Sequence, residues 1–246
     1  MKAMILAAGL GTRLRPLTDE RPKALVEIGG RTLLEMTLTR LREFGVREVI
    51  VNVHHFAGMV ADYLEAHNNF GMRVELSRED GLLLDTGGGL KNAGWFFLED
   101  GGNEPFLLHN VDVISTIDLG QMVAEHKRAA ALATLAVQKR QTSRYLLFDR
   151  ESKLCGRRIV KQGKDEVVRG GGELEALAFT GIHAISPRMI GMMSEQGAFS
   201  IIDVYLRLAG AGEVVQGFRA DESLWRDLGR IEQVRTAEED YRRAAQ

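Results

Sequence analysis

The chain has 246 residues, 45% of them hydrophobic and 27% charged, with a formal net charge of −2. That length suffices for one large α/β domain burying roughly 70–75% of its unfolded surface, and the near-balanced charge argues against a general nucleic-acid binder, which needs a basic excess. No apolar run approaches the ~20 residues of a membrane span, and a lone Cys155 without an apolar leader points to a reducing cytoplasm.

Lys2 to Ala7 (KAMILA) is a short apolar run of the kind that forms a buried central strand. The chain leaves it through Gly9 and Gly11, where the missing Cβ permits positive φ and close approach of N–H groups to an anion. Arg13 and Arg15 follow with planar forks for phosphate oxygens, and Lys23 adds a point charge, Pro16 and Pro22 stiffening the segment between. The stretch from Leu6 to Lys23 therefore reads as a grip for a nucleoside triphosphate. A dinucleotide fingerprint fails, because Leu14 holds the place of its third glycine and Gly29 and Gly30 hold the acidic place about 20 residues on. No segment has the Walker spacing either.

Leu34, Leu38 and Leu41 share one helical face and Gly45 ends that helix, ahead of a strand over Glu48 to Val53. Val60 and Leu64 mark a second helix, Arg73 to Leu76 a third strand and Pro105 to Asn110 a fourth. Leu119 to Ala130 is helical and Ala133 to Val137 strand-like. Strands separated by helices need crossovers, which build a doubly wound, mostly parallel α/β sheet. Ligands of such sheets bind outside the carboxyl ends of the strands, which gathers the loop at 8–23, the turn at 81–89 and the segment at 109–113 around one crevice. Beyond Thr142 the charged, glycine-rich run at 156–176 suggests a flap of short strands before Leu177 to Ile185 resumes the core. Ile231 to Ala245 reads as an amphipathic helix whose apolar stripe suits either its own chain or a homo-oligomer contact. No repeat or linker divides the chain, so residues 1–246 are read as one domain with halves at 1–139 and 140–246.

The run GLGTRLRPLT followed by PKALVEIGG resembles the signature of the sugar-1-phosphate nucleotidyltransferases. LLLDTGGGLKNA, FLLHNVDV, FTGIHAISP and WRDLG then fall in the family's order. Within it the chain is most similar to short bacterial members that act on N-acetylmuramic acid 1-phosphate or mannose 1-phosphate. The resemblance implies a Rossmann-like fold with the 140–176 insertion over the sugar, and a reaction between a nucleoside triphosphate and a sugar 1-phosphate with Mg²⁺ as cofactor. Neither nucleic acid nor membrane is an expected partner.

The resemblance also assigns residues. Asp112 and Asp227 become the metal ligands, Arg13 holds the triphosphate tail, and Lys23 meets the phosphates at the reacting centre; these four form the expected catalytic set. Loss of the Arg13 or Lys23 side chain is expected to lower turnover about 10²–10³-fold, the scale of one preorganised charge-stabilising contact. Ala8, Gly9, Gly11 and Thr12 join Arg13 and Lys23 around the nucleotide. Gly88, in Thr86 to Gly89, becomes the nucleobase wall with Glu79 as an edge contact, a plain helix entry being the alternative. Asn110, Thr180 and Gly181 match positions around the sugar, and Arg140 and Arg144 are either phosphate contacts or solvated loop residues. The chain departs from the family's Asn-Gly-Asp in having Val111 at its centre, where relatives bring backbone close to ligand. The implied activity gives a nucleoside diphosphate sugar and pyrophosphate, with UTP and an amino-sugar 1-phosphate such as N-acetylmuramate 1-phosphate as substrates. GTP with mannose or heptose 1-phosphate stands beside it, as do cytidylyl transfer and a catalytically silent nucleotide-sugar sensor on the same fold.

Overall fold

Apolar strands in sequence become the middle of one sheet in the computed structural model, which describes residues 1–170 and 172–244. Gly171, in the expected flap, and Ala245, at the expected end of the last helix, lie outside the described residues. In chain order the elements are β1 (Lys2–Leu6), β2 (Glu27–Ile28), β3 (Arg31–Thr32), α1 (Leu33–Glu43), β4 (Glu48–Val53), α2 (Ala57–Ala66), β5 (Arg73–Arg78), α3 (Asp85–Asn92), α4 (Gly94–Leu98), β6 (Phe106–Asn110), β7 (Val113–Ser115) and α5 (Leu119–Arg128). There follow β8 (Ala133–Gln138), β9 (Arg144–Phe148), β10 (Leu154–Ile159), β11 (Lys164–Val167), β12 (Glu175–Ile185), α6 (Arg188–Gly191), α7 (Ile201–Gly210), β13 (Val215–Arg219), β14 (Trp225–Asp227) and α8 (Ile231–Ala244).

β1 lies between β4 and β6, parallel to both, and β5 continues the parallel set beyond β4. Side chains alternate across the strand, so Ala3 and Ile5 enter one core and Met4 the other. The first core takes Leu34 and Leu38 of α1, Val60 of α2 and Val234 of α8; the second takes Phe96 of α4 and Tyr205 of α7. Both faces are covered, which is why these strands read as unbroken apolar runs rather than alternating ones.

At one place the strand order departs from chain order. β8 follows β6 through helix α5 but does not pair with it, because β12 runs antiparallel between the two. The sheet is therefore mixed, and the halves read from the sequence interlock: β12, from beyond residue 140, sits inside the first half. Its first residues, Glu175 to Leu177, pair instead with β9, which with β10 and β11 forms an antiparallel arm where the flap was expected. The register of β12 against β8 shifts between Phe179 and His183, around Gly181 at φ 83°.

The C-terminal helix braces the opening segment. Val234 and Ala237 are buried beneath it, Gly29 N donates to Glu238 Oε2 at 2.8 Å, and the Tyr241 ring lies where a Cβ on Gly29 would stand. Its apolar stripe is thus used within its own chain. Among the described residues no helix is long and apolar enough to cross a membrane.

Three core histidines make stability depend on pH. Burial pushes His109 and His126 down to about 4 and His183 to about 3. In the unfolded chain a histidine takes its proton near pH 6.5. Stability from these groups is therefore complete above that pH and is lost as pH falls from 6.5 towards 4, because the unfolded state binds protons that the native state refuses. Urea denaturation at pH 7, 6 and 5 is expected to show falling stability with a slope approaching three protons, about 4 kcal/mol per pH unit at its steepest. A flat profile over that window contradicts this account.

Candidate active site

β1, β4 and β6 end at one edge of the sheet, where the loop after β1 turns under glycine control. Gly11 sits at φ 65°, and an added Cβ would stand 2.9 Å from Thr18 Cγ2. Thr18 Oγ1 donates to Gly11 O at 2.9 Å and Leu14 N donates to the same oxygen at 2.8 Å, closing a short helical turn over Thr12–Leu14. Leu14 fills the core, so its neighbours Thr12 and Arg13 are held at the surface. Lys23 begins a second such turn whose Ala24 and Leu25 are buried, which keeps the ammonium at the crevice. Among the described residues, no N–H group from Gly9 to Arg13 donates to another protein group. Those donors and two cations suit a polyanion.

A cleft of about 320 Å³ opens beside this loop, lined by Ala8, Gly9, Lys23, Leu83, Thr86 and Asp112. Its back is tied by Asn52, the one amide in the apolar β4 run. Asn52 Oδ1 accepts from Ala7 N at 2.7 Å and Ala8 N at 3.3 Å, and its Nδ2 donates to Glu79 Oε1 at 2.6 Å. Glu79 Oε2 in turn accepts from Leu84 N at 2.8 Å. Glu79 is only 3% exposed and both its oxygens are engaged, so it links the loop after β1 to the 80–84 turn while lining the cleft. Asn52→Ala would strand two backbone donors and a buried carboxylate oxygen. A loss of about 2–4 kcal/mol in urea unfolding is expected.

Gly88 lies in the first turns of α3, not on an extended wall. A Cβ there would stand 2.5 Å from Gly197 O, so its missing side chain serves close packing against that segment. Leu83, Asp85 and Thr86 line the cleft beside it.

The two aspartates meet because β7 and β14 form a two-stranded ladder. Asp227 pairs with Val113, and Leu228 N donates to Asp112 O at 2.7 Å. A point one Cβ bond from Gly229 lies 2.8 Å from Asp227 Oδ1, 3.1 Å from Arg13 Nη2 and 3.3 Å from Asp112 Oδ2. Three of the four expected catalytic side chains thus surround one glycine, and the fourth, Lys23, forms an ion pair with Asp112 Oδ2. Burial first, and the Asp112 carboxylate second, hold the Asp227 carboxyl above the usual range. Two crowded carboxylates that each disfavour the other's charge fit a hard divalent cation, and Mg²⁺ takes one or two carboxylates when phosphate oxygens and water complete its octahedron.

Across this pair lies a second pocket of about 440 Å³ that shares Asn110 and Asp112 with the first. Gly181 is necessary there: at φ 83° its Cβ would stand 2.6 Å from Asn110 Nδ2, so glycine lets the amide pack into the bulge of β12. Thr180 lines the pocket, but its hydroxyl donates to Ala136 O at 2.8 Å and its carbonyl accepts from Trp225 Nε1 at 2.8 Å. Arg140 lies 3.7 Å above the Trp225 ring and donates from Nη2 to Phe179 O at 2.7 Å. Val111, the departure from the family text, is 3% exposed and its side chain packs into the first core, with its N–H donating to Leu6 O at 3.1 Å. The branched side chain is therefore absorbed by the core, while the residue itself still lines the smaller cleft.

Comparison with known proteins agrees with this architecture. A sequence profile described as nucleotidyl transferase matches residues 2–244. N-acetylmuramate alpha-1-phosphate uridylyltransferase of Caulobacter vibrioides is 37% identical over 235 residues, 92% of this chain and 91% of that one. The mannose-1-phosphate guanylyltransferase catalytic subunit beta of Dictyostelium discoideum is 36% identical over 140 residues, 56% of this chain and 38% of that one. In fold, UDP-glucose pyrophosphorylase of Acinetobacter baumannii superposes with a TM-score of 0.77 at 18% identity, covering 98% of this chain and 92% of that one. The chain belongs to the nucleotidyl transferase family and is an enzyme of nucleoside diphosphate sugar synthesis.

Proposed function

We propose that the protein transfers uridylyl from UTP to an amino-sugar 1-phosphate, N-acetylmuramate 1-phosphate being the substrate of choice. The observation that carries this is the acid pair on the divide between two pockets, with Arg13 and Lys23 at the same point. A nucleotide in the smaller cleft and a sugar phosphate in the larger pocket would meet there. An oxygen of the sugar phosphate attacks the α-phosphorus of UTP; its new P–O bond forms as the bond to the β-phosphate bridging oxygen breaks, and pyrophosphate leaves in line. Arg13 holds the departing phosphates, Lys23 the reacting one, and Arg140 the sugar 1-phosphate, so the chain's work is positioning and charge stabilisation. Asp112 and Asp227 would hold Mg²⁺, which when bound would supply the neutralisation that two polyanions require.

Uridylyl specificity is supported by the Caulobacter relative, which aligns over most of both chains. Transfer from GTP to mannose 1-phosphate is the second assignment, favoured by the shorter match to the Dictyostelium subunit. A cytoplasmic location accompanies either one, as that is where nucleoside triphosphates are made. The test is a panel of the common triphosphates against sugar 1-phosphates with Mg²⁺, following pyrophosphate. Release with UTP and N-acetylmuramate 1-phosphate is expected to exceed every other pair. Release only with GTP moves the assignment to the guanylyl branch, and nucleotide binding without release would make the protein a sensor.

A further inference from the structure

Five arginines line the larger pocket, and their partners divide them. Arg157 is paired with Glu166 and Asp203, and Arg158 with Asp165. Among the described residues Arg13, Arg140 and Arg144 form no ion pair. Uridylyl transfer accounts for two of these three. Arg13 stands beside the acid pair, and Arg140 is fixed on the pocket floor by Trp225 and Phe179, with its Nε buried and lacking a hydrogen-bond partner.

Arg144 remains. It opens β9, opposite Ile159 of β10, while Leu146 lies opposite Arg157. Antiparallel register puts directly opposed residues and every second residue on one face, so Arg144 shares its face with Leu146, Ile159 and Arg157, which line the pocket, as do Tyr145 and Arg158 beside them. An exposed arginine ordinarily needs no partner. On this arm, however, all three guanidinium-bearing residues line the pocket and two of them have acids of their own, which leaves Arg144 as the cation open to an acidic ligand.

We propose that Arg144 is a specificity residue that pairs with an acidic group carried by the sugar in addition to its 1-phosphate. This rests on the proposed function and deepens it: the guanidinium on the arm tells an acid sugar from its neutral counterpart. A planar fork meeting a carboxylate in two parallel hydrogen bonds supplies the geometry.

The test compares kcat/KM for N-acetylmuramate 1-phosphate and N-acetylglucosamine 1-phosphate, the same amino sugar without the lactyl carboxylate, with UTP and Mg²⁺. The native protein is expected to prefer the acid sugar about 10²-fold or more, the scale on which a site loses a substrate that leaves its polar group unpaired. Arg144→Gln should lower that ratio at least about tenfold, mainly through KM for the acid sugar, and Arg144→Lys should recover part of it. A ratio unchanged in Arg144→Gln, whether both rates fall together or neither moves, overturns the assignment, as does a native protein with no preference. If neither sugar yields pyrophosphate with UTP, it is the proposed function that falls.

Discussion

Asp112→Asn is expected to lower kcat by about 10³-fold, and Asp227→Asn by a similar factor, with the fold intact. The amide keeps the volume of the carboxylate and removes its charge, so what is lost is the anionic pair that would hold a divalent cation between two polyanions. Stability should move the other way. Asp227 is half-buried beside Asp112 and its charge is disfavoured by both circumstances, so neutralising Asp227 relieves a cost in the folded state. A Tm equal to or above that of the native protein is expected for Asp227→Asn. Asp112→Asn also releases Lys23, so its effect and that of Lys23→Ala will not add. Pyrophosphate release at saturating substrates and a thermal melt measure both quantities; turnover within tenfold of native for both variants would remove the acid pair from the mechanism.

Gly229→Ala is expected to cost about 10²-fold in turnover with little change in Tm. Gly229 does not need positive φ, so alanine brings no backbone strain there. Its methyl would stand 2.8 Å from Asp227 Oδ1, 3.1 Å from Arg13 Nη2 and 3.3 Å from Asp112 Oδ2, which are ends of side chains that can swing aside. Swinging aside is cheap for the fold and expensive for a site in which misplacement of about 1 Å costs that much rate. The crowded Asp227 Oδ1 is also the acceptor of the Gly229 N–H at 2.7 Å, so a rate loss would report displacement of this carboxylate together with its neighbours Arg13 and Asp112. Native turnover in this variant would show that the three groups need not occupy their present positions.

The parallel core was legible because buried strands announce themselves as apolar runs: β1, β4 and β6 fall where KAMILA, EVIVNV and PFLLHN placed them. The place of β12 was not. Crossover reasoning assumes that strands consecutive in sequence are neighbours in space, and a long antiparallel strand inserted between β6 and β8 breaks that assumption without any local signal. In the site, the convergence of Arg13, Lys23, Asp112 and Asp227 was anticipated from motifs, since each sits at the end of a recognisable strand or turn. Asn52 was missed. Its only trace is one amide in an otherwise apolar strand, which periodicity counts as a blemish but burial makes a hydrogen-bonding hub. The contacts of Glu79 to Asn52 and Leu84, and the close approach of Gly88 to Gly197, were equally invisible, because only tertiary packing creates them. Arg140 depended on Trp225, 85 positions away, and no spacing rule joins them.

β12 belongs to three ladders at once, pairing with the arm through Glu175 to Leu177, with β8 on either side of Gly181 and with β6 through Ile182 to Ile185. An exchange of sugar preference between homologues by transplanting the arm is therefore not a clean cassette swap at residue 140 and residue 175. The graft would have to carry the start of β12 and end short of Gly181, because beyond that residue the same strand begins to shape the seat of Asn110, and changes introduced there would disturb a residue that both pockets share.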